Sequence, residues 1–187
     1  LFSATMPDEI RKLANQILRD PTTIEISITE PVRTITHAVY LAESANKQDM
    51  LLRLIKEAGS GSILVFMRTK HRAKKTAFQL QQAGISATSL QGNLSQSQRD
   101  TAMRAFRDGK VQVLVATDIA ARGIDVSRVS HVINFDMPDT PEAYTHRTGR
   151  TGRMERLGTA LSLVSQEELA MLRTIERLMG QKLEVRK

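Results

Sequence analysis

The sequence has 187 residues, 41% of them hydrophobic and 25% charged, which is typical of one globular domain with its own core. Lys and Arg number 27 against 20 Asp and Glu, and the net charge of +7 indicates a polyanionic partner, with nucleic acid as the first candidate. The absence of cysteine excludes disulfides and thiol catalysis, and no apolar run approaches the roughly 20 residues that span a bilayer, so we expect a cytoplasmic protein without a membrane partner.

Helices and strands are predicted to alternate along the chain. Some segments carry apolar residues at helical spacing, and short apolar or alternating runs typical of strands lie between them. In chain order the predicted elements are helix 7–19, strands 22–28 and 35–41, helix 47–58, strand 62–67, helix 70–83, strand 86–90, helix 95–107, strands 111–116 and 129–135, helix 141–147, strand 158–164 and helix 166–179. This order predicts an α/β fold, a mostly parallel β-sheet with helices on both faces.

Basic residues are concentrated in one stretch, 58–99, which contains no Asp or Glu. Its arginines and lysines are Arg68, Lys70, Arg72, Lys74, Lys75 and Arg99. A solvated surface normally mixes both signs of charge, so the pattern favours a phosphate-binding surface, although a solvated helix face remains open. Aromatic residues make up only 4% of the chain, which favours contact with backbone phosphates over stacking on bases.

The segment 146–153, His-Arg-Thr-Gly-Arg-Thr-Gly-Arg, is the strongest candidate for a site. Arg147, Arg150 and Arg153 recur every three residues, and each guanidinium presents a planar fork of donors that matches phosphate oxygens. The two glycines between them would let the backbone come close to a ligand. A basic surface turn is the alternative, but glycines are a poor scaffold for a helix that is merely solvated.

Two further loops follow predicted strands, where ligands bind in parallel α/β sheets. After strand 111–116, Asp118 and Asp125 could ligate a metal, cap a helix or accept a hydrogen bond from a sugar hydroxyl. Asp118 is more typical of a cap, and Asp125 is the better candidate for a ligand contact. After the preceding strand, Ser95 can cap a helix whose free N–H groups form an anion site, to which Arg99 would add a cation.

Together these motifs resemble those of the C-terminal RecA-like domain of a DEAD-box ATP-dependent RNA helicase, of a bacterial RhlE-like kind. The resemblance covers the whole chain, and no Walker A pattern occurs in it. The matching segments are Ser3-Ala4-Thr5 for motif III, 63–70 for motif IV, 96–99 for the Gln-x-x-Arg motif, 117–118 and 121–125 for motifs Va and V, and 146–153 for motif VI.

The resemblance implies a RecA-like fold, with RNA and an N-terminal RecA-like domain as partners. It implies ATP and Mg²⁺ as cofactors, both held mainly by that other domain, and no metal ligand in this chain.

The implied catalytic residues are Arg150 and Arg153, as arginine fingers on the γ-phosphate, together with His146 and Arg147, which would help to couple the two domains. The implied contacts with ATP come from Gly123, Asp125, Arg150 and Arg153, with Asp125 accepting from the ribose. RNA would be bound by Thr69, Gly92, Arg99, Thr117 and Asp118, with Gln96 supporting the loop, and interdomain coupling would involve Ser3, Thr5 and His146.

The resemblance also implies a division of the chain. Residues 1–30 would be the C-terminal tail of the N-terminal RecA-like domain and a linker, and residues 31–187 the C-terminal helicase domain. The Walker A loop and the DEAD sequence would lie upstream, so we expect the chain by itself neither to bind ATP tightly nor to hydrolyse it. An apolar stripe on helix 7–19 leaves dimerisation through this segment open.

Two departures from the family pattern stand out. The usual His-Gly-Asp loop is Gln91-Gly92-Asn93 here, and Thr148 replaces the commoner Ile of motif VI.

Two other functions also remain open, a superfamily 2 DNA helicase domain and a non-enzymatic RNA-binding module. Ser-Ala-Thr in motif III favours RNA over DNA, and the regular arginine spacing argues against simple phosphate binding.

Overall fold

The computed structural model describes residues 8–19, 21–24, 35–121, 129–152 and 157–186. Its helices are α1 (Asp8–Ile17), α2 (Lys47–Glu57), α3 (Lys70–Gln82), α4 (Gln96–Arg107), α5 (Asp118–Ala121), α6 (Pro141–Thr148) and α7 (Leu169–Met179). Its strands are β1 (Ile35–Leu41), β2 (Ser62–Phe66), β3 (Ala87–Leu90), β4 (Val113–Ala116), β5 (Val129–Asn134), β6 (Gly158–Val164) and β7 (Glu184–Arg186).

The described strands form one sheet in the order β3-β4-β2-β5-β6-β1-β7, and every neighbouring pair runs parallel. The register places Phe66 beside Ala116 on one side and Asn134 on the other, with Ser162 beside Asn134. The carboxyl ends of β2, β4, β5 and β6 therefore meet at one edge of the sheet, and the loops that follow the first three of them are neighbours.

Helices cover both faces of the sheet, as the sequence predicts. Ile63 and Val65 of β2 pack on one face in a buried cluster with residues of α2 and α3. Leu64 and Phe66, which alternate with them, pack on the other face with Phe106 of α4 and with α5. Each such side chain stabilises the fold by about 1.5–3 kcal/mol when fully buried, so the continuous apolar run of β2 fixes the centre of both layers.

Four local differences separate the predicted from the observed elements. The strand predicted at 22–28 is absent from 21–24, and its remaining residues lie outside the described ranges. The helix predicted at 166–179 begins with a separate 3₁₀ turn, Gln166–Glu168. The helix α5 and the strand β7 were not predicted, because runs of four and three residues are too short to show a periodicity.

The helix α1 matches the prediction for 7–19 and carries its apolar stripe on an open face. Leu13 and Ile17 are 48% and 68% exposed. Dimerisation through this stripe stays a prediction, which light scattering can test. Within the described ranges, no helix combines the length and hydropathy that a bilayer crossing requires.

Candidate functional site

Arg147 lies at the centre of the polar cluster at the strand-end edge. Its side chain is 3% exposed. Its Nε and Nη2 donate to the two carboxylate oxygens of Asp118 at 2.6 and 2.7 Å, and its Nη1 donates to Asn134 Oδ1 at 3.2 Å and to the Asp136 carbonyl at 2.7 Å. The guanidinium also lies 5.0 Å from the ring centroid of Phe66. This arginine therefore fastens α6 to the ends of β2, β4 and β5.

The helix α6 is held on its inner side by Tyr144, which is 1% exposed. Its hydroxyl lies 2.9 Å from Nδ1 of His37 on β1, and it is also hydrogen-bonded to Ser162. Burial raises the pKa of Tyr144 above its ordinary value, despite an opposing effect of the Ser162 hydrogen bond, and burial lowers the pKa of His37 to about 4. Near neutral pH both groups are therefore uncharged, and they share a hydrogen bond.

Motif VI continues past the end of α6 with its next arginine close to the cluster. The backbone N–H of Arg150 donates to the Arg147 carbonyl at 3.1 Å, so the position of Arg150 depends on how Arg147 is held. The Arg150 side chain is half-buried, and His146 is exposed. Gly149 is the C-cap of α6, and Gly152 has φ +67°, in the left-handed region that favours glycine.

The turn that carries Arg150 is itself pressed against the start of β6. Thr151 is 2% exposed, and its hydroxyl donates to the carbonyls of Val129 at 2.6 Å and Ser130 at 3.0 Å. A Cβ on Gly158 would meet the Thr151 hydroxyl and would lie 2.5 Å from the Gly152 nitrogen. The sequence predicts that the glycines of motif VI let the backbone approach a ligand. The structure adds that Gly158, outside the motif, is needed because the turn of motif VI packs directly against it.

The loop after β2 begins α3 at the same edge. Thr69 is the N-cap of α3, and its hydroxyl accepts from the Arg72 N–H at 3.3 Å. Lys70 donates to Asn93 Oδ1 at 3.0 Å, which links this loop to the one after β3. There the buried Gln91 accepts from the Asn93 N–H at 2.7 Å. Both residues that depart from the family's His-Gly-Asp pattern therefore shape their own loop through internal hydrogen bonds.

The helix α4 also begins at this edge, with a capping box between Ser95 and Gln98. Gln96 donates to Asp100 at 2.8 Å, and Arg99 donates through Nη2 to the Ala120 carbonyl of α5 at 3.2 Å. Arg99 is therefore held against α5, which follows β4. Neither α3 nor α4 has an acidic residue in its first turn, although the carboxylate of Asp136, which follows β5, accepts from the Arg68 N–H just before the N-cap of α3. The N–H groups at such helix starts can bind an anion.

A second polar cluster lies behind the loop after β5. Lys47 is 2% exposed and donates to Glu168 at 2.5 Å and to the Phe135 carbonyl at 3.0 Å. Burial acts to raise the pKa of Glu168, but hydrogen bonds from Lys47, Ser165 and the Met137 N–H outweigh it, and the pKa lies below its ordinary value. Glu168 is therefore a stable carboxylate that fixes the loop.

The predicted site residues that the structure describes lie on the loops and helix ends at the strand-end edge. They are Thr69, Gly92, Gln96, Arg99, Thr117, Asp118, His146, Arg147 and Arg150. The others, Ser3, Thr5, Gly123, Asp125 and Arg153, lie outside the described residues. In the described ranges no three His, Asp or Glu side chains are grouped as metal ligands would be.

Sequence reasoning missed Asn134 and Asp136, which are both fully buried and both bonded to Arg147. The available signal was the sequence Asn-Phe-Asp immediately after the apolar run of β5. Polar residues at the carboxyl end of a central parallel strand lie at the ligand-binding edge, where they need partners. Their partner became visible only when the fold placed Arg147 beside them.

The parallel sheet with helices on both faces is a RecA-like α/β fold. A family model described as the helicase conserved C-terminal domain matches residues 46–155, which gives the class of the domain. In the crystal structure of the E. coli DEAD-box protein SrmB bound to regulator of ribonuclease activity A, the matching chain is 40% identical, with a TM-score of 0.78 over 82% of this chain and 91% of that chain. The chain belongs to the DEAD-box helicase family.

Two longer relatives extend the comparison. RNA helicase CrhR of Synechocystis is 44% identical over 98% of this chain, which spans only 38% of CrhR. In the structure of S. cerevisiae Dbp5 bound to RNA and ADP BeF3, the matching chain is 32% identical, with a TM-score of 0.89 over 99% of this chain and 50% of that chain. The chain therefore spans half or less of the length of these two relatives.

Proposed function

We propose that this chain is the C-terminal half of an ATP-dependent RNA helicase. In that enzyme it binds the RNA backbone and supplies arginine fingers for ATP hydrolysis and local unwinding of RNA duplexes. The observation that carries the proposal is the position of Arg150. Its backbone is bonded to Arg147, which is anchored inside the domain, and the starts of α3 and α4, which have no acidic residue in their first turns, lie at the same edge.

The arginines supply charge where phosphoryl transfer needs it. Negative charge spreads over the phosphoryl oxygens in the transition state, and a rigid guanidinium fork stabilises it at little reorganisation cost. We assign this role to Arg150 and Arg153, with Gly123 and Asp125 contacting the rest of the nucleotide. An arginine finger is worth roughly 10³ to 10⁵ in rate, or about 4 to 7 kcal/mol.

The nucleotide itself is assigned mainly to an N-terminal RecA-like domain, which the greater length of the relatives can accommodate. ATP and Mg²⁺ would be bound there, so the 187-residue chain alone should not hydrolyse ATP. In this scheme residues 1–30 belong to the N-terminal domain and its linker, and residues 31–187 form the half that closes on it. His146, which is exposed, would take part in interdomain coupling with Ser3 and Thr5, which belong to that N-terminal segment.

We assign Arg147 to positioning and not to contact with phosphate. Four N–H directions of its guanidinium are already used by acceptors within the domain, at 2.6 to 3.2 Å. A buried guanidinium with such partners holds motif VI at the edge, and this fixes the backbone of Arg150. The coupling of the two domains would then act through the rigidity of this anchor.

RNA is assigned to the loops after β2, β3 and β4. The N–H groups at the starts of α3 and α4, at Thr69 and after Ser95, can bind phosphate oxygens, and Arg99 adds a cation. Gly92 leaves open space beside the backbone, with no atom within 4 Å of a Cβ placed on it. Thr117, Asp118 and Gln96 complete the path. Contacts of this kind recognise the sugar-phosphate backbone and carry little base specificity.

The test uses the full-length protein that contains this chain. We expect ATP hydrolysis that is stimulated by RNA more than by DNA, together with strand separation of a short RNA duplex. Arg150→Ala should lower ATP turnover by orders of magnitude without changing the thermal unfolding temperature. Arg53→Ala is the matched control, because Arg53 is an exposed arginine in an (i, i+4) pair with Glu57 on α2. Equal turnover in the two variants would contradict the finger role, and equal stimulation by DNA would favour a DNA helicase.

A further inference from the structure

Asp136 connects the two halves of the strand-end edge. It follows β5 and is 3% exposed, although it carries a carboxylate. One carboxylate oxygen accepts from the backbone N–H of Arg68 at 2.9 Å, and the other accepts from Arg72 Nη1 at 2.6 Å. Its backbone carbonyl accepts from Arg147 Nη1 at 2.7 Å. A single buried residue therefore contacts both the loop after β2 and the arginine anchor of motif VI.

These bonds form a continuous path between the two assigned ligand sites. At one end the Arg150 N–H donates to the Arg147 carbonyl at 3.1 Å. At the other end Arg68 directly precedes Thr69, which caps α3 on the assigned RNA path. Asp136 is itself fixed between them, since its N–H and that of Phe135 both donate to the Phe66 carbonyl, at 3.4 and 3.1 Å. A displacement of the motif VI anchor would therefore be transmitted to the start of α3.

The environment of the Asp136 carboxylate makes this connection stiff. Both of its hydrogen bonds involve an ionised acceptor, and the one to Arg72 is also an ion pair, so they are shorter and stronger than neutral ones. Burial excludes water as a replacement partner. Breaking the pair would leave the buried Asp136 carboxylate without its cation, although the Arg72 side chain itself is 47% exposed, so we expect the loop and the carboxylate to move as one unit.

We propose that Asp136 is a positioning residue that couples the nucleotide-facing arginines of motif VI to the RNA-facing start of α3. The inference rests on the proposed function and deepens it. It names a residue outside the motifs quoted from the sequence, and it predicts a property that neither site has alone. If nucleotide strengthens RNA binding by some factor, thermodynamic linkage requires that RNA strengthens nucleotide binding by the same factor, and we expect that factor to depend on Asp136.

The experiment measures this factor in the full-length protein. RNA affinity is determined with and without ADP and beryllium fluoride as the nucleotide probe, and the ratio of the two affinities is the coupling. Allosteric ratios are typically about 5 to 150. Asp136→Asn keeps the size of the side chain and its backbone carbonyl but removes the charge. We expect it to reduce the ratio at least roughly fivefold, towards no coupling.

Two further variants separate coupling from general stability. Arg72→Ala loses one of the Asp136 bonds from a half-exposed side chain, so it should fold even where Asp136→Asn does not, and it should reduce the ratio in the same direction. Arg72→Lys should restore part of the affinity ratio that Arg72→Ala loses. Leu172→Ala makes a cavity in the core beside α7 and serves as the control, with a lower unfolding temperature and an unchanged ratio.

The outcomes distinguish this inference from the proposed function. If the parent shows coupling and Arg150→Ala abolishes turnover, but both Asp136→Asn and Arg72→Ala keep the parental ratio, the inference is wrong and the function stands. If the parent shows neither coupling nor RNA-stimulated ATP hydrolysis, the proposed function is wrong and the inference falls with it. A lowered ratio in Leu172→Ala equal to that of Asp136→Asn would reduce Asp136 to a structural residue.

Discussion

Arg147 of α6 and Asp118 of α5 form a bidentate ion pair, with Nε–Oδ1 and Nη2–Oδ2 distances of 2.6 and 2.7 Å. The two partners differ in environment, because the Arg147 side chain is 3% exposed and that of Asp118 is 39% exposed. The pair joins motif VI to the loop after β4, which sequence reasoning treated as separate sites. Asp118 was predicted to bind RNA, and this remains a prediction, since its carboxylate keeps an open side.

The first prediction concerns this pair. Arg147→Lys keeps the charge but loses the planar fork of N–H donors, so it cannot donate to Asp118, Asn134 and Asp136 at the same time. We expect the free energy of unfolding in urea to fall by about 2–3 kcal/mol, less than the ~3–5 kcal/mol of a fully buried pair, because Asp118 is partly solvated. Arg53→Lys is the control, with an expected change below about 1 kcal/mol. Equal losses in both variants would contradict the anchoring role.

The second prediction concerns RNA binding by Arg99. Each phosphate contact contributes about −0.7 to the slope of log affinity against log salt for single strands. Arg99→Ala should therefore weaken RNA binding by the full-length protein and flatten this slope by about that amount. Arg104→Ala removes the same charge from the last turn of α4, away from the capped start of the helix, and is the matched control. An identical change in slope would show a general charge effect and no contact at Arg99.

The third prediction concerns acid. Burial lowers the pKa of His37 to about 4 from an ordinary 6.5, so between these values the unfolded chain binds a proton that the folded chain does not. Stability therefore rises with pH through this window and falls on acidification from pH 7 towards 5. The slope approaches about 1.4 kcal/mol per pH unit for this group.

Urea unfolding at several pH values measures the effect. His37→Gln should flatten the pH dependence between about pH 4.5 and 6.5, whereas the exposed His71→Gln should leave it as in the parent. His131, whose pKa burial also lowers, contributes in the same direction and will account for part of the remaining slope. A profile unchanged by His37→Gln would mean that the pKa of His37 is the same in the folded and the unfolded chain, which would contradict its burial.

The fourth prediction concerns the turn that carries Arg150. Gly158→Ala would force a methyl group against Thr151 and the Gly152 nitrogen, both of which are buried. We expect a loss of about 1–3 kcal/mol of stability, as for overpacked sites, and a lower ATP turnover in the full-length protein. Gly92→Ala, with open space at its Cβ, should leave the unfolding temperature unchanged. Full stability of Gly158→Ala would show that the turn can move away from β6.

Prediction from sequence succeeded where one pattern had one physical cause. The apolar run of β2 is typical of a strand buried on both faces, and Ser95 as a possible cap indicated the start of α4. Prediction failed for α5, whose four residues pack because neighbouring elements hold them, and for β7, which among the described strands pairs with β1 at the edge of the sheet. In these segments tertiary contacts decide the conformation, and local propensity carries too little information.

The sequence by itself determined the family, the alternation of strands and helices, and the residue types of the proposed phosphate-binding surface, because motif spacing and apolar periodicity are local properties of a chain. Only the tertiary structure decided that Arg147, among the described arginines of motif VI, is the one held inside the domain. Arg147 is turned inward because the ends of β4 and β5 place Asp118, Asn134 and Asp136 around it, and burial without those acceptors would be too costly. Which of several equally spaced arginines becomes an anchor depends on partners far apart in the chain, and their distances exist only in the folded protein.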